Sequence, residues 1–269
     1  MKPAMSRFGD NEIMVKLRGT FRAGALGLGL LTAAASLAAL SAAETGITEE
    51  KFGTMVRDYL LKHPEVLREV IDALDKKEKA AEKQAAMSVI SSRSKEIFRS
   101  ADDHVAGNPE GKISVVEFFD YNCGYCRHSL PDVLKLLDKD KDVRLVIKEF
   151  PILGPGSVTA AKASIAARRQ NKYWEFHLAL MRERGTVDEA KVFAVAKTVG
   201  LDIPKLKADM ESADVAKVIA QNQALAEALS IQGTPAFVID QTLIPGAPGY
   251  DGLVSAVAAV KEAGGCKSC

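Results

Sequence analysis

Ile113-Ser114-Val115-Val116-Glu117-Phe118-Phe119-Asp120-Tyr121-Asn122-Cys123-Gly124-Tyr125-Cys126 is the stretch on which the reading of this chain turns. Its apolar, β-branched and aromatic start reads as a strand. The strand runs into Cys-x-x-Cys just where a helix-like segment, Arg127 to Asp138, begins. That order sets the first sulfur at a helix N-terminus, where unpaired backbone N–H groups and the positive dipole end favour a thiolate. Thiols held this way have pKa values of roughly 3.5–7.5 and are nucleophiles at neutral pH. The pattern predicts dithiol–disulfide exchange chemistry, against two alternatives: half of a zinc site, or an inert structural disulfide. A zinc site needs four ligands. Besides His63, His104, His128 and His177, the chain offers only the pair Cys266 and Cys269. Zinc ribbons bring their pairs together within about 15–20 residues, whereas here about 140 intervene.

The N-terminus addresses the compartment. Lys16, Arg18 and Arg22 precede a small-residue apolar run, Ala23 to Ala43, that closes in Ser41-Ala42-Ala43 before Glu44. A basic region, an apolar region and small residues at −3 and −1 read as a secretory signal cleaved after Ala43, rather than as a membrane-spanning helix. Asp10 and Glu12 are unusual in such a leader, which leaves Met14 as a second candidate start. Export to the periplasm is the expectation, an oxidising space where disulfide chemistry has substrates. Residues 1–43 hold five of the 36 Lys/Arg and two of the 35 Asp/Glu, so the remainder carries 31 and 33, near −2 net. That balance argues against a nucleic-acid partner.

Residues 48–97 read as two helices, 48–62 and 64–97, broken at His63 by Pro64, with Thr48 as N-cap. Phe52, Tyr59, Val66 and Ala73 recur every seven residues, with Val56, His63 and Val70 four further on and Leu60, Leu67 and Leu74 beside them. This heptad-like stripe fades into the charged Asp75–Lys83 segment, a solvated spacer. The reading is a helical extension, 44–101, that self-associates through 48–74, with His63 structural. Val105 to Gly111 reads as turn, and Val143 to Phe150 as a second strand. Residues 157–231 read as a helical block, in which Ser157 caps one helix and Thr186-Val187-Asp188-Glu189 forms a capping box for another. Strands return at 236–240 and 242–244, followed by a helix from Tyr250 to Ala263. His128 and His177 read as helix-face or packing residues.

The order strand, helix, strand, helical block, strand, strand, helix, with Gly233-Thr234-Pro235 entering the third strand, resembles the thioredoxin fold. More narrowly it resembles the DsbA-type branch, carried by Gly107-Asn108-Pro109, by the 116–126 segment, and by Phe150-Pro151-Ile152-Leu153 before an Ala-rich helix. The helical extension resembles the oligomeric suppressor-of-copper-sensitivity C (ScsC) proteins, whose members include trimeric disulfide isomerases. The resemblance implies an α/β thioredoxin fold over 102–265 with the helical block inserted at about 157–231. It implies Cys123 as the attacking thiolate and Cys126 as the resolving thiol. Pro235 matches the family's cis-proline, which would hold Thr234 toward Cys123 for substrate pairing, while Gly124 and Tyr125 tune the thiolate. Glu117, in an otherwise apolar strand, has a raised pKa as a partly desolvated carboxylate. In the family an acid here assists proton transfer at the inner cysteine, and Lys148 is its candidate charge partner.

The tail 266–269 departs from the family pattern. Gly264-Gly265 reads as a flexible tether, and Cys266 with Cys269 could form a local or anchoring disulfide, a copper ligand pair, or a redox relay. The expected function is an exported oligomeric, for instance trimeric, disulfide isomerase or reductase. It would act on misfolded or reduced proteins, exchange electrons with a membrane redox partner, and need no cofactor. The competing readings are a monomeric DsbA-type dithiol oxidase and a copper-binding envelope protein.

Overall fold

The computed structural model describes residues 48–269. The Ala23–Ala43 run and the cleavage position therefore lie outside the described residues. Among those described, no helix is long and apolar enough to cross a membrane. By chain contacts the protein divides into a unit ending at Lys62 and a larger one from His63 to Cys269.

Within the first unit, α1 (Glu49–Lys62) buries none of its side chains and exposes Phe52, Met55, Val56 and Leu61. Thr48 accepts a hydrogen bond from Lys51 N at 3.3 Å, as its reading as a cap requires. The second unit opens with α2 (Glu65–Ser92), whose first half likewise exposes Leu67, Val70, Ile71 and Leu74. Only its last turns are fixed, by fully buried Ile90, and α3 (Ser94–Phe98) continues the packing with Ile97 and Phe98.

Then follow β1 (His104–Gly107), β2 (Ile113–Phe119), α4 (Gly124–Lys139) and β3 (Val143–Glu149). The helical block comprises α5 (Pro155–Ala167), a 3-10 turn at Arg168–Gln170, α6 (Tyr173–Met181), α7 (Glu189–Thr198), α8 (Ile203–Met210) and α9 (Ala213–Ala228). The chain returns to the sheet with β4 (Ala236–Ile239) and β5 (Thr242–Pro245) and closes with α10 (Gly249–Glu262). The sheet order is β1-β3-β2-β4-β5, with β2 and β3 parallel and the other pairs antiparallel.

Strand period decides what each face does. Val115, Phe119, Leu145, Ile147, Phe237 and Ile239 point into a core shared with α4, α10 and the helices α5 to α8. Their neighbours Val116, Phe118, Val146 and Val238 point the other way, against Ile90, Ile97, Phe98 and the end of α9. Because β2 is covered on both faces, all seven of its residues are buried, as its unbroken apolar run suggests.

Four local readings are corrected. Residues 104–107 are not turn but an edge strand, paired with β3 from His104↔Ile147 to Gly107↔Arg144. The turn begins only at Asn108, where Gly111 approaches so closely that a Cβ would stand 2.7 Å from Asp142 O. Ser157 caps nothing. Gly154 precedes α5 at φ +114° with Pro155 in its first turn, and the Ser157 hydroxyl donates to Asp120 Oδ1 at 2.7 Å. In the supposed capping box the cap is Asp188, whose Oδ1 accepts from Lys191 N at 2.9 Å. Residue 187 is held outside the helix, its N–H donating to Asn122 Oδ1 at 2.7 Å. The Gly264-Gly265 segment is not a loose tether: both N–H groups fold back onto α10, to Lys261 O and Val260 O.

Candidate active site

The end of β2 delivers Cys123 to the N-cap of α4, with extended backbone at φ −77° and ψ 115°. Its sulfur accepts the N–H of Cys126 at 3.2 Å and lies 3.1 Å from the carbonyl oxygen of Thr234. The Thr234–Pro235 peptide is cis. Cys123 is 5% exposed and Cys126 fully buried, and both are free thiols. The Cys123 thiol is pulled down to about 6, first by the hydrogen bond from the Cys126 thiol and then by Thr234 and the N–H groups of Cys126 and Tyr125, against a burial cost. Burial drives the Cys126 thiol far upward, and the neighbouring sulfur adds to that. One sulfur is thus an anion at neutral pH and the other a reluctant acid, one helical turn apart.

Glu117 lies on the face of β2 that looks toward the two cysteines. It is 6% exposed, and its Oε1 has no hydrogen-bond partner among the described residues. Burial, and then the charge of Cys123, raise its carboxyl to about 8. The nearby Ser129 hydroxyl donates to Cys126 O at 3.0 Å and also tempers the rise at Glu117.

Lys148 is not its partner, and register explains why. Glu117 stands opposite Ile147, and Lys148 opposite Phe118, so the two side chains leave opposite faces of the sheet. Lys148 pairs with Asp103 at 2.5 Å, both side chains almost wholly buried. Loss of hydration pushes Asp103 up to about 6 and Lys148 down, each shift opposed by the charge of the other.

Three polar residues missed by sequence reasoning hold the thiol loop. Asp120 accepts from Asn122 N and Ser157 Oγ through Oδ1, and from Ile152 N and Leu153 N through Oδ2, all between 2.7 and 2.9 Å. Asn122 bridges to Val187 through both N–H and carbonyl. Arg127 donates to Tyr121 O at 2.9 Å and Gly185 O at 2.8 Å. Together they fasten the loop to the 150–153 segment and to the helical block. The available signal was a run of small polar residues, Asp120 and Asn122, directly after a wholly apolar strand. His177 is a packing residue, buried against Phe119, Tyr121, Tyr173 and Trp174 and held near pKa 3 by burial. His63 lies 3.1 Å from Glu65.

Exposed apolar groups flank this polar clamp. Tyr125 is 72% exposed, and Ile152, Leu153 and Val158 are also open.

A thioredoxin-like sheet with a dithiol at the start of its first long helix, faced by Thr234-Pro235, defines a thioredoxin-fold dithiol protein. The chain belongs to the DsbA-like thioredoxin domain family, which it matches over residues 114–258. Residues 49–81 match the N-terminal domain of the copper resistance protein ScsC. A thioredoxin-like oxidoreductase from Silicibacter pomeroyi is 47% identical, with a TM-score of 0.62 over 62% of this chain and 97% of that one. Proteus mirabilis ScsC in a transitional conformation is 32% identical, with a TM-score of 0.60 over 78% of this chain and 95% of that one. The chain spans about a quarter of the length of the first curated relatives it matches, Na+/H+ antiporters. NhaA 1 of Salinispora arenicola is 31% identical over 157 residues, 58% of this chain and 24% of that protein.

Proposed function

We propose that the protein is an exported thiol–disulfide oxidoreductase acting on protein substrates. The Cys123 thiolate attacks a substrate disulfide, forming a mixed disulfide and releasing one substrate sulfur as a thiolate that takes a proton from solvent. The mixed disulfide consumes the Cys123 charge, one of the two causes that hold the Glu117 carboxyl up; as the carboxylate, Glu117 takes the Cys126 proton, and the Cys126 sulfur then attacks Cys123. The substrate leaves with its second sulfur reduced, and the protein keeps the electron deficit as a Cys123–Cys126 disulfide. Isomerisation is the variant in which a substrate thiol displaces Cys123 before Cys126 does. The observation that carries this reading is the split pair: Cys123 lowered to about 6 at a helix N-cap, with Cys126 buried behind it. Glu117 suits proton exchange because its carboxyl titrates near 8 beside the buried thiol. Thr234 offers backbone to an extended substrate segment, and Tyr125, with the open Ile152 and Leu153, offers apolar contact to an unfolded one.

The preferred direction is isomerase or reductase, in an oligomer that joins catalytic units (102–265) through the helical extension (44–101). Support comes from the unburied apolar side chains of α1 and the first half of α2, which follow the heptad-like stripe, and from the ScsC match over 49–81. Association of copies of this chain would bury them. The sequence of residues 1–43 supports export, and a membrane dithiol partner would keep Cys123 reduced. Reactivation of scrambled ribonuclease, set beside oxidation of the reduced enzyme and the mass of the processed protein, tests this. Reactivation by a species of several chains is expected. A monomer that oxidises but does not reshuffle would replace the isomerase with a dithiol oxidase.

A further inference from the structure

The last four residues gather a second set of sulfur and oxygen ligands at the opposite end of the sheet. Cys266 and Cys269 are disulfide-bonded with their Cα atoms 5.6 Å apart, and both are only half-buried. Asp240 lies in the turn between β4 and β5 at φ +50°, and its carboxylate reaches the tail. Its Oδ1 accepts Lys267 N and Ser268 N at 2.8 Å each and lies 3.5 Å from Cys266 Sγ. Each sulfur also faces a backbone donor: Cys269 N is 3.2 Å from Cys266 Sγ, and Ser114 N is 3.4 Å from Cys269 Sγ.

A divalent sulfur in a disulfide is a poor acceptor, whereas a thiolate gains strongly from N–H groups. The donors are thus placed for the reduced, ionised pair. Ligand atoms from Cys266, Cys269 and Asp240 lie within 4.8 Å of one another. Zinc–thiolate and zinc–carboxylate bonds of about 2.0–2.3 Å at tetrahedral angles put ligand atoms roughly 3.6 Å apart. The carboxylate already stands at that distance from Cys266. Two thiolates with one carboxylate suit a borderline divalent ion, while Cu(I) draws on soft sulfur alone and has no use for the oxygen. Two thiolates and a carboxylate exceed a divalent charge by one. Arg99, which donates to Cys269 O at 2.8 Å, stands beside the site as a cation.

We infer that the reduced tail is a binding site for a divalent cation of the zinc class, held by Cys266, Cys269 and Asp240 and closed when the two cysteines form their disulfide. Opening takes two electrons and two protons from a dithiol donor. One donor thiolate attacks a tail sulfur, its second thiol resolves the mixed disulfide, and the donor departs oxidised, leaving two tail thiols. The entering cation then displaces both thiol protons to solvent.

The test uses the full chain carrying Cys123→Ser and Cys126→Ser, so that the tail holds the only thiols. It is reduced anaerobically, titrated with Co2+ as an optical probe, and back-titrated with Zn2+. One Co2+ per chain is expected in the reduced protein, with thiolate charge-transfer absorbance, and none in the oxidised protein. Asp240→Asn keeps an acceptor for Lys267 N and Ser268 N. It should weaken binding about tenfold or more, as metal-site partners generally do. Cys266→Ser with Cys269→Ser should abolish the absorbance without relying on the Asp240 variant. Absence of charge-transfer absorbance in the reduced chain overturns the inference. So does equal Co2+ uptake by the Asp240→Asn and parent chains, or by the oxidised and reduced ones.

Discussion

Two Cys-x-x-Cys pairs occupy opposite ends of one sheet, each beside a carboxylate, and they differ because the backbone presents them differently. Cys123 precedes a helix and meets unpaired N–H groups, so its thiol drops to about 6. Cys266 follows a helix, α10, whose C-terminal end carries partial negative charge that favours a cation over a free thiolate. Glu117, whose Oε1 has no partner among the described residues, is held up to about 8, whereas Asp240 is met by two backbone N–H groups. Residue types and spacing are shared. What separates a reactive site from an anchored tail is which end of a helix the sulfur joins and whether the neighbouring oxygen is satisfied.

The sharpest way to break this contrast is Cys123→Ser. If the ends are chemically distinct, thiol exchange with a protein disulfide falls to background although Cys266 and Cys269 remain. The strand β2 alone sets the two ends about 20 Å apart, at roughly 3.3 Å per residue, so the tail cannot reach a disulfide docked at Cys123. Residual exchange in this variant would mean that the tail acts as a relay. Cys126→Ser should instead accumulate the mixed disulfide, visible on non-reducing gels.

Next in size is Glu117→Gln. The folded carboxyl titrates near 8, above its ordinary 4.5. As pH rises between those values the unfolded chain loses a proton that the folded chain keeps, so stability falls with pH. At about 1.4 kcal/mol per pH unit, the accumulated loss at pH 7 is roughly 3 kcal/mol. The Gln variant should recover that amount in urea unfolding at pH 7 and flatten the profile from pH 4.5 to 8. Proton exchange at Cys126 should slow in the same variant. A profile no flatter than the parent's would mean that Glu117 is ionised in the fold.

This contrast was only half legible in the amino-acid order. The strand–thiol–helix stretch 113–138 and the Thr234-Pro235 approach are local patterns, and local patterns survive reading without coordinates. Glu117 stood out because one carboxylate in seven strand residues must be buried if the strand is. Its relation to Lys148 did not, because a one-residue offset in parallel register sends two side chains to opposite faces. Edge strand β1 has four residues, one of them Gly107 at φ +76°, too few for alternation to register above turn chemistry. Asp120 acts on Ile152 and Leu153, more than 30 residues away, and Asp240 on Lys267 and Ser268. Such hydrogen bonds are written in the fold rather than in any window of sequence.

Removing the tail bond should have a smaller effect. A disulfide closing a four-residue ring restrains the unfolded chain by about 2 kcal/mol at most. Cys266→Ser with Cys269→Ser should lose up to that amount in urea unfolding under oxidising conditions, and nothing under reducing conditions without metal. At the other end, reduction has the opposite sign, since a stabilised Cys123 thiolate favours the reduced fold. A loss well beyond 2 kcal/mol would make the tail part of the core.

The smallest effect is also the most discriminating, because its shape does not depend on access. Thiolate fraction and intrinsic nucleophilicity work against each other: lowering the pKa raises the first and lowers the second with a slope of about 0.4–0.5. At pH 6 the Cys123 thiol is half ionised. Free cysteine, with a pKa of about 8.5, is ionised to only a few parts per thousand, a deficit of roughly 160-fold. The lower basicity of Cys123 gives back about 13-fold, so at equal access iodoacetamide would modify it roughly tenfold faster than free cysteine at pH 6. Near pH 9 both are largely ionised and the order reverses by about the same factor, with a crossing near pH 7.4. Burial of Cys123 scales its whole curve down but leaves the midpoint near 6. A midpoint at the ordinary thiol range would show that the helix N-cap does not ionise Cys123, and the distinction between the two ends of the sheet would fall with it.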